Sequence, residues 1–546
     1  MVQTAPIHHR EGILRMRIWR RRGASAPAML LIPAIIVAGA MALPLAYLVL
    51  RTFDAGGEAW ELLARWQTLR VLGRSALLAA AVTGTAVALS VPLAWLTIRS
   101  DMPGKRVWSV LTVLPLVVPS YIGGFALVSA LGPKGLAQQA LEPLGVDRLP
   151  EIYGFPGAWL ALTLFSYPYV LLSVRGAMAG LDPAEEEASR SLGRGSRETF
   201  FRVTLPQLRP AIGAGGLLVA LYTLSDFGAV SLLRFNSFTR VIYLQYEGSF
   251  DRTLAAVLAL VLVALGIGLV AWEQQLRGRA RYYSVGSGTA RRAPVAHLGG
   301  WRWPAFALTA LLVLVALGIP ASVLLYWLAQ GLAHHVEIGF VGTAAAHAVY
   351  AAGLAAGAAV LAALPVAILA VRFPRRHVRV LEAAAYVGFA MPGIVVALAL
   401  VFFGANFATP LYQTLFLLVL AYVVLFLPMA VGALRASLLQ VNPAVEEAAR
   451  SLGRSPLQVL ATVTLPLMRS GIVVGAALVF LTAMKELPAT LLLSPLGFKT
   501  LATEVWSAAD IGFFSKAAVP ALLLIGVSSI PVAILLWRER APDGRG

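Results

Sequence analysis

The 546-residue chain has no cysteine, only seven histidines and few charged side chains. Without cysteine, disulfide bonds and thiolate metal sites are excluded. Charged residues make up 13% of the sequence and hydrophobic residues 59%, with a mean hydropathy of +0.79. These values exclude an ordinary soluble domain, in which about a quarter of the residues are charged. The composition therefore predicts an integral membrane protein.

Long uncharged apolar runs fill most of the sequence. A helix that crosses a bilayer needs about 20 consecutive apolar residues. Nine runs reach that length: 23–50, 75–98, 107–133, 152–174, 253–272, 303–336, 338–371, 383–434 and 517–537. The run 383–434 is long enough for two spans with a turn near Pro410, and two more spans are expected at 211–233 and 471–493. Because lipid satisfies no backbone polar group, the sequence predicts an all-α integral membrane fold of twelve transmembrane helices.

A charged segment of 31 residues occurs twice in the chain, at a constant offset of 260. Residues 182–212 and 442–472 are identical at 16 of the 31 positions, without a gap. Composition alone would give about two or three identities. A polar segment that is duplicated in a mostly apolar chain indicates a surface for two copies of the same partner.

The basic residues are unevenly distributed between alternate loops. If the N-terminus is cytoplasmic, 32 of the 44 Lys and Arg residues lie on the cytoplasmic side and 12 lie outside. Membrane proteins retain basic residues on the cytoplasmic side, so both termini and both 31-residue segments are expected there. The formal net charge of +18 then reflects this asymmetry and contact with anionic lipid. Nucleic-acid binding is not expected, because the basic residues lie in short loops between spans.

The repeat extends to the spans on both sides of the charged segments. Residues 75–100 and 348–373 align at an offset of 273, so the first half has 13 extra residues within 131–156. Each half then has six spans, and an even number means that the two halves enter the membrane in the same direction. The chain is therefore expected to consist of a basic cytoplasmic N-terminus at 1–25, a first six-helix domain at 26–272, a cytoplasmic linker at 273–303, a second six-helix domain at 304–537 and a cytoplasmic tail at 538–546.

Local signals predict a short helix at the start of each charged segment. Asp182 and Asn442 are favourable N-cap residues, each followed by proline at the first helical position. Glu185 would complete a capping box in the first copy. Gly193 and Gly453 permit the positive φ angle that commonly ends a helix. Two ion pairs with i, i+4 spacing are also expected, Glu186 with Arg190 and Glu446 with Arg450.

Two copies of one motif resemble a known family. The pattern Glu-Ala-Ser-x3-Gly-x9-Val-x-Leu-Pro occupies 187–206, and Glu-Ala-Ala-x3-Gly-x9-Val-x-Leu-Pro occupies 447–466. This pattern resembles the EAA loop of binding-protein-dependent ABC importer permeases, and the resemblance covers the chain from residue 26 onward. It implies a fold like that of type I ABC importer permeases. In that family the loop forms a coupling helix that docks in a groove of the ATPase.

The resemblance implies a set of ATPase-coupling residues in both loops: Glu186, Glu187, Ala188, Gly193, Pro206, Glu446, Glu447, Ala448, Gly453 and Pro466. It also implies two partners, a cytoplasmic ABC ATPase in two copies and an extracytoplasmic substrate-binding protein. The sequence contains no G-x4-G-K-[ST] phosphate loop. ATP and Mg are therefore expected on the ATPase, and this chain is expected to have no catalytic residue, metal site or cofactor of its own. The expected location is the bacterial inner membrane.

Charges inside the predicted spans occur at two equivalent positions. Asp226 lies in the fifth span, and Lys485 and Glu486 lie in the eleventh, with Glu486 at an offset of 260 from Asp226. Because charged groups are costly in lipid, these three residues are candidates for the translocation pathway. The alternative is an interfacial position, since Asp226 lies about 25 Å along a straight helix from Arg209, near the boundary of a core about 30 Å thick.

The segments around these acids, 224–252 and 484–506, resemble the corresponding segments of ferric iron ABC permeases. A trivalent cation prefers carboxylate and phenolate oxygens. The two acids and Tyr243 or Tyr246 could supply them, although Lys485 is a poor neighbour for a cation. The expected function is therefore the permease subunit of an ATP-driven importer of ferric iron. Thiamine, polyamine, sulfate and phosphonate permeases resemble the chain in the same general way and remain alternatives.

Two other functional classes explain less of the sequence. A secondary transporter with parallel six-helix repeats would account for the spans but would leave the two EAA loops unexplained. An intramembrane enzyme would need a nucleophile or a metal cluster within the spans. None of His334, His335 and His347 has the spacing of metal ligands.

Overall fold

The computed structural model describes residues 27–54, 56–248, 253–278 and 295–540. Within these ranges the secondary structure is helical, apart from an isolated β-bridge between Ser100 and Ala296. The all-α part of the predicted fold class is therefore confirmed. The expected basic N-terminus and most of the expected linker and tail lie outside the described residues.

The first half contains thirteen α-helices in the described part of the chain: α1 Ala28–Asp54, α2 Gly56–Ala64, α3 Trp66–Arg99, α4 Lys105–Leu111, α5 Ser120–Leu131, α6 Leu136–Leu141, α7 Phe155–Ala179, α8 Pro183–Ser191, α9 Ser196–Thr199, α10 Leu205–Ser225, α11 Gly228–Leu232, α12 Phe238–Gly248 and α13 Thr253–Gly278. The 13 residues expected to be extra in the first half fall between α5 and α7. This part of the chain includes α6 and the 3-10 turn Glu142–Leu144.

The second half has the corresponding series: α14 Arg302–Val313, α15 Ile319–Ala333, α16 Phe340–Arg372, α17 Arg376–Ala385, α18 Gly393–Phe407, α19 Leu415–Gln440, α20 Pro443–Ser451, α21 Pro456–Val459, α22 Leu465–Leu467, α23 Arg469–Lys485, α24 Pro488–Leu493, α25 Leu501–Asp510 and α26 Phe514–Arg540. A π-helical segment, Leu314–Gly318, joins α14 to α15.

Eight helical segments of the described chain are long and apolar enough to cross a membrane. The number rises to eleven if each of three bent helix pairs is one span. The predicted number of twelve is thus not recovered by length and composition. The shortfall is at the end of the chain, where Phe514–Ile530 counts as a shorter apolar helix.

The third span of each half is bent, whereas the sequence predicted one run at 107–133 and a span within 383–434. The two arms meet at 96° in the first half and at 107° in the second. Pro119 and Pro392 stand at the two bends with extended backbone, at ψ 143° and 147°. The bend follows because proline removes a backbone donor and disfavours helical geometry in the preceding residue.

The fifth and eleventh spans also end earlier than the expected ranges 211–233 and 471–493. Helix α10 ends at Ser225 and α23 ends at Lys485. The next residues, Asp226 and Glu486, are extended, and the short helices α11 and α24 follow. Continuous helices were the wrong prediction at these positions, and the two acids stand at the breaks.

The first helix of the first half and α15 of the second half each pack against the opposite half as well as their own. Helix α1 packs on α16, α17 and α18, and α15 packs on α5. The Tyr47 ring lies 6.0 Å from the Phe402 ring, and the Trp327 indole N–H donates to the Ser129 hydroxyl at 2.6 Å. The two halves therefore contribute to a shared core.

Small residues allow the helices next to the breaks to approach closely. A Cβ atom added to Gly215 of α10 would lie 2.7 Å from the Cα atom of Val170 in α7. At the equivalent positions in α23 and α19, a Cβ atom on Gly475 would lie 3.4 Å from the Cα atom of Ala430. Such contacts between small residues are typical of packed membrane helices. They hold the spans that lead to the two breaks.

Candidate functional site: two charged loops and two broken helices

The charged loops begin with the predicted short helices. The Asp182 side chain accepts a hydrogen bond from the Ala184 N–H at 3.0 Å, and Asn442 accepts from the Ala444 N–H at the same distance. Both N-caps are confirmed. The predicted capping box of the first copy is wrong, because the Glu185 carboxylate accepts instead from the side chain of Gln207 at 2.6 Å.

The loop helices end at the predicted glycines. Gly193 has φ 84° and Gly453 has φ 85°. A side chain at either position would have open space around it, so the backbone angle alone favours glycine there. The backbone angle therefore explains the glycine in both copies, and the coupling role stays a prediction.

In the first copy, the Glu186 carboxylate lies between three elements. It accepts a hydrogen bond from the Thr204 hydroxyl at 2.9 Å and lies 4.0 Å from the Arg99 guanidinium at the end of α3. The predicted i, i+4 pair with Arg190 is present at 3.9 Å. This carboxylate therefore connects the loop helix α8 to α3 and to the segment that leads into α10.

The second copy repeats this arrangement with a shorter ion pair. The Glu446 carboxylate lies 3.1 Å from the Arg372 guanidinium at the end of α16, and the Thr464 hydroxyl donates to it at 3.1 Å. The predicted partner, Arg450, is not among the ion pairs of Glu446 in the described residues. The more buried Arg372 takes its place, because the Glu446 side chain is only 7% exposed.

Each arginine of these networks also binds the end of the span that leads into the charged loop, which is α7 in the first half and α19 in the second. Arg99 donates to the carbonyl oxygen of Met178 at 3.3 Å, and Arg372 donates to that of Val441 at 3.1 Å. Sequence reasoning aligned the two arginines as repeat equivalents but assigned them no role. Two features of the sequence could have predicted these networks. An arginine ends an apolar span in both halves, and a threonine occurs in both Val-Thr-Leu-Pro sequences. We call these networks the first and second Arg-Glu-Thr networks.

Two further equivalent arginines bind the first arm of the bent third span. Arg175 of α7 donates to the carbonyl oxygen of Ser109 at 2.7 Å. Arg435 of α19 pairs with the Glu382 carboxylate at 2.5 Å. The loops therefore rest on a layer of charge-assisted contacts that includes the second, third and fourth spans.

The other predicted coupling residues lie on the outside of this layer. Glu187, Ala188, Glu447 and Ala448 are exposed. The repeat-equivalent leucines after the two helices are also exposed: Leu192 to 79% and Leu452 to 82%. Large apolar side chains exposed beside acidic ones on one polar surface are typical of a protein interface.

Pro206 and Pro466 stand just after short π-helical segments, Phe200–Thr204 and Leu460–Thr464. Proline has no backbone N–H, so it cannot donate the α-helical hydrogen bond to the carbonyl oxygen four residues earlier. The widened turn before each proline is the result. Each proline thus marks the join between the loop and the helix that leads to the break.

At the first break, the Asp226 carboxylate is buried and hydrogen-bonded. It accepts from the Ser120 hydroxyl and from the Val230 N–H, the latter at 3.2 Å. The Thr239 hydroxyl donates to the Asp226 carbonyl oxygen at 2.6 Å. Protein atoms therefore cover this side chain, which does not fit the expectation of a water-exposed interfacial group.

The second break is built in a similar way. The half-buried Glu486 carboxylate accepts from the Ala489 N–H at 3.2 Å, and the Thr490 hydroxyl donates to the Glu486 carbonyl oxygen at 2.5 Å. Lys485 is half-buried as the last residue of α23. The structure therefore places all three predicted pathway residues at the two helix breaks.

The break segments of the two halves lie next to each other. A Cβ atom on Gly228 would lie 3.3 Å from the Leu487 side chain of the other half. Phe227, the repeat equivalent of Leu487, packs against Trp506 with 5.1 Å between ring centroids. Phe227 and Leu487 are both buried. Apolar side chains thus fill the contact between the halves at this level.

The candidate iron ligands are not gathered into one cluster. Within the ranges that the structure describes, no group of three or more His, Asp or Glu side chains could hold a metal ion. The Tyr243 hydroxyl donates to Glu247 at 2.6 Å. Tyr246 instead lines a cavity of about 720 Å³ together with Tyr47, Arg51 and Asn406.

These features together define a class of protein. Helical spans in two repeats pack around a contact between broken helices, and two matching charged loops each expose acidic and apolar side chains. Such a duplicated membrane body with two equivalent docking loops is typical of a transport subunit that works with separate soluble partners.

The comparison with known families agrees with this class. The family model of the binding-protein-dependent transport system inner membrane component matches residues 86–282 and 355–540. The chain belongs to this family, with one matched region in each half. It is therefore a multi-pass inner-membrane protein and the permease component of an ABC transporter that depends on a binding protein.

Similar proteins include permeases that are named for different substrates. The chain is 36% identical over 513 residues to the Fe(3+)-transport system permease protein FbpB 2 of Haemophilus influenzae, which covers 93% of this chain and 98% of the relative. It is 24% identical to the ferric transport system permease protein FbpB of Actinobacillus pleuropneumoniae, over 78% of this chain and 65% of that relative. It is 32% identical to the molybdenum transport system permease protein ModB of Mycobacterium tuberculosis, over 44% of this chain and 94% of that relative.

Proposed function

We propose that this chain is the permease subunit of an ATP-driven importer that brings ferric iron across the bacterial inner membrane. The observation that carries the proposal is the 36% identity to a ferric permease across nearly the whole of both proteins. The molybdenum permease relative covers less than half of this chain. A match that includes both halves supports the ferric substrate over the molybdenum one.

We infer that an ABC ATPase docks on each charged loop, so that two copies bind one chain. ATP and Mg are bound by those ATPases. The exposed Glu187 and Glu447 supply acidic contacts, and the exposed Leu192 and Leu452 supply apolar ones. Buried apolar anchors beside charged contacts are the usual composition of an interface. The Arg-Glu-Thr networks behind this surface carry the motion of the ATPases to the spans.

We infer twelve spans, with α26 as the twelfth. Helix α26 has 27 residues, which at about 1.5 Å each is enough to cross a bilayer core. The proposed division is a first six-helix domain at 26–272 and a second at 304–537, joined by a cytoplasmic linker at 273–303. The N-terminus at 1–25, the tail at 538–546 and both charged loops are placed in the cytoplasm on the distribution of basic residues.

We also infer that the helix breaks lie on the translocation pathway and that Asp226, Lys485 and Glu486 belong to its gate. The position of both acids where the two halves meet supports this assignment. A separate substrate-binding protein would deliver the substrate on the side opposite the charged loops.

Uptake of radiolabelled iron tests the substrate. The chain is expressed with its own ATPase and binding protein in cells that lack other ferric uptake, and uptake is measured with ferric iron, molybdate, thiamine and spermidine. ATP-dependent uptake of ferric iron alone is expected. Uptake of another of these solutes, without iron, would overturn the iron assignment and leave the permease class intact. Uptake driven by a proton or sodium gradient without ATP would contradict the assignment to an ATP-driven importer.

Charge reversal tests the docking surface. The double variant Glu187→Arg with Glu447→Arg is expected to reduce co-purification of the ATPase by at least about tenfold, because two charged contacts are each replaced by repulsion. Glu185→Val is the matched control on the same loop helix, since valine occupies the equivalent position 445 of the second copy. Unchanged ATPase binding by the double variant would show that the partner docks elsewhere.

Cysteine labelling tests the orientation, and the absence of native cysteine makes the background low. A cysteine at the exposed position Asp147 or Leu496 should react with an impermeant thiol reagent from outside intact cells. One at Ser196 or Ser455 should react only after the membrane is opened. Labelling of Ser196→Cys from outside would invert the proposed topology.

A further inference from the structure

The two acids at the helix breaks face equivalent residues of the bent third spans. Asp226 and Glu486 are related by the offset of 260, and their neighbours Ser120 and Gly393 are related by the offset of 273. In each half, the residue that begins the second arm of the third span thus lies against the acid that follows the long helix of the fifth. The repeat has kept the contact but changed both residues.

In the first half, the contact joins a small polar residue to the shorter acid. The Ser120 hydroxyl donates to the Asp226 carboxylate, and both side chains are buried. A hydrogen bond to a charged acceptor in a buried place is among the stronger contacts in a protein.

In the second half, the longer acid fills the space that a missing side chain leaves. A Cβ atom added to Gly393 would overlap the Glu486 carboxylate. Glutamate has one methylene group more than aspartate, and glycine has no side chain. The Ser-Asp pair and the Gly-Glu pair are therefore two solutions to the same packing problem.

Both acids also lie at the start of a longer helix. Ser120 is the first residue of the 12-residue α5, and Gly393 is the first residue of the 15-residue α18. The first backbone N–H groups of a helix have no partner within it, and negative charge is favourable there. This position favours an acid in both halves, and each carboxylate also accepts a hydrogen bond from the short helix that follows it, from the N–H of Val230 or of Ala489.

We propose that Ser120–Asp226 and Gly393–Glu486 are two equivalent latches that hold the gate between the halves closed. Each latch holds a break segment against the third span and keeps the buried Phe227 or Leu487 in the contact between the halves. The acids are positioning residues of the gate and do not serve as ligands of the transported ion. This inference deepens the proposed gate and rests on the chain's function as a permease.

The latches lie at the far end of the helices that follow the charged loops. In the first half, a single helical segment, Ser196–Ser225, leads from the loop to Asp226. In the second half, Pro456–Leu467 and Arg469–Lys485 lead to Glu486. A displacement of the loop by the ATPase is therefore transmitted along a helix to the latch, which gives a direct route from ATP binding to gate opening.

Exchange of the two pairs tests the proposal. Gly393→Ser alone and Ser120→Gly alone should each weaken one latch. The double variants Gly393→Ser with Glu486→Asp, and Ser120→Gly with Asp226→Glu, should rebuild it with the pair of the other half. The measurement is ATP hydrolysis by the permease–ATPase complex in lipid nanodiscs without binding protein, because an opened gate should release the ATPase from its resting state.

Each single variant is expected to raise this basal hydrolysis by about fivefold, because Ser120→Gly removes a charge-assisted hydrogen bond and Gly393→Ser adds a side chain that overlaps the Glu486 carboxylate. Each double variant should return to within about twofold of wild type by the same reasoning. Gly357→Ser is the matched control, because a side chain at Gly357 in the helix α16 meets no atom within 4 Å. The amount of purified complex reports whether each variant folds.

Two results would overturn the latch. One is failure of both double variants to improve on their single variants while the complexes purify normally. The other is a pair of Asp226→Asn and Glu486→Gln variants that lose iron uptake with unchanged basal hydrolysis, which would make the acids substrate ligands. The hydrolysis assay needs no substrate, so an error in the iron assignment would leave its outcome unaffected.

Discussion

The two halves attach their charged loops with the same residue types but at different distances. The second Arg-Glu-Thr network has its ion pair at 3.1 Å, whereas the pair in the first is at 4.0 Å. Glu446 is also more buried than Glu186, with side-chain exposures of 7% and 14%. The repeat has therefore preserved the connection between loop and span, with a shorter and more buried carboxylate contact in the second half.

A second difference lies in the helices that lead from the loops. The first-half segment Ser196–Ser225 is one helix, and the corresponding second-half pair meets at an angle of 70° near Met468. The half with the shorter ion pair thus also has the bent helix. Under the proposed docking of one ATPase on each loop, the two ATPases would act on loops that are attached differently, so variants at equivalent positions are expected to have unequal effects.

The largest expected effect is the loss of Arg372. Arg372→Ala leaves the buried Glu446 carboxylate without its cation, and breaking such a pair costs about 3 kcal/mol. We expect ATP-dependent uptake to be nearly abolished, while Arg99→Ala should retain measurable uptake because the Glu186 carboxylate keeps the Arg190 contact. Uptake rates per purified permease measure the difference. Equal loss in both variants would show that the contact distances do not separate the halves.

The loop glycines should give a smaller effect that is equal in the two halves. Gly193→Val and Gly453→Val force a β-branched residue into a positive φ angle, at a cost of about 1–3 kcal/mol. ATPase co-purification should fall to a similar extent in both. Gly195→Ser is the control, because Gly195 has φ −68° and the second copy has serine at position 455. A strong effect in only one half would contradict the equal geometry of the two helix ends.

The N-caps should have a weaker effect again. Asp182→Ala and Asn442→Ala each remove one side-chain acceptor from the start of a loop helix, which costs about 1 kcal/mol. We expect a modest decrease in ATPase affinity, measured by titration of the ATPase onto permease in nanodiscs. Asp182→Asn should be close to wild type, since asparagine is the cap of the other copy. A loss as large as that of Gly193→Val would mean that the cap contacts the ATPase directly.

The smallest expected effect concerns a contact for which the described second half shows no counterpart. Asp101 accepts a hydrogen bond from the Leu298 N–H at 2.9 Å and lies 3.2 Å from the His297 ring, which ties the end of the linker to the first half. The Leu298 bond lowers the pKa of Asp101. A carboxyl group with a lowered pKa stabilises the folded state above its unfolded pKa of about 4 and loses this effect as the pH falls through the folded value.

Asp101→Ala should therefore lower the thermal unfolding temperature slightly at pH 7. The difference from wild type should disappear as the pH is reduced below the folded-state pKa of Asp101. Lys134→Ala is a control at another loop position of the first half. A difference between the proteins that persists unchanged in acid would mean that the effect comes from packing and not from the carboxylate.

Much of the candidate site follows from local sequence signals. The loop helices, their N-caps and their terminal glycines depend on neighbouring residues, so 182–212 and 442–472 could be interpreted without tertiary information. The role of Arg372 could not, because its partner Glu446 is 74 residues away. The i, i+4 rule offered the nearer Arg450 instead. Local spacing cannot show that a distant, more buried cation will compete for the same carboxylate.

By itself, the sequence determined the membrane class, the duplication, the position of both loops and the family, because each depends on composition or on motifs with fixed spacing. Only the tertiary structure decided where the long spans bend and break. The sequence is mostly apolar on both sides of Pro119 and of Asp226, so apolar runs alone do not show a break. The position of each break depends on the residue of another helix that faces it. Ser120 against Asp226 and Gly393 against Glu486 are contacts between distant parts of the chain, and their complementary sizes become visible only when the helices are packed.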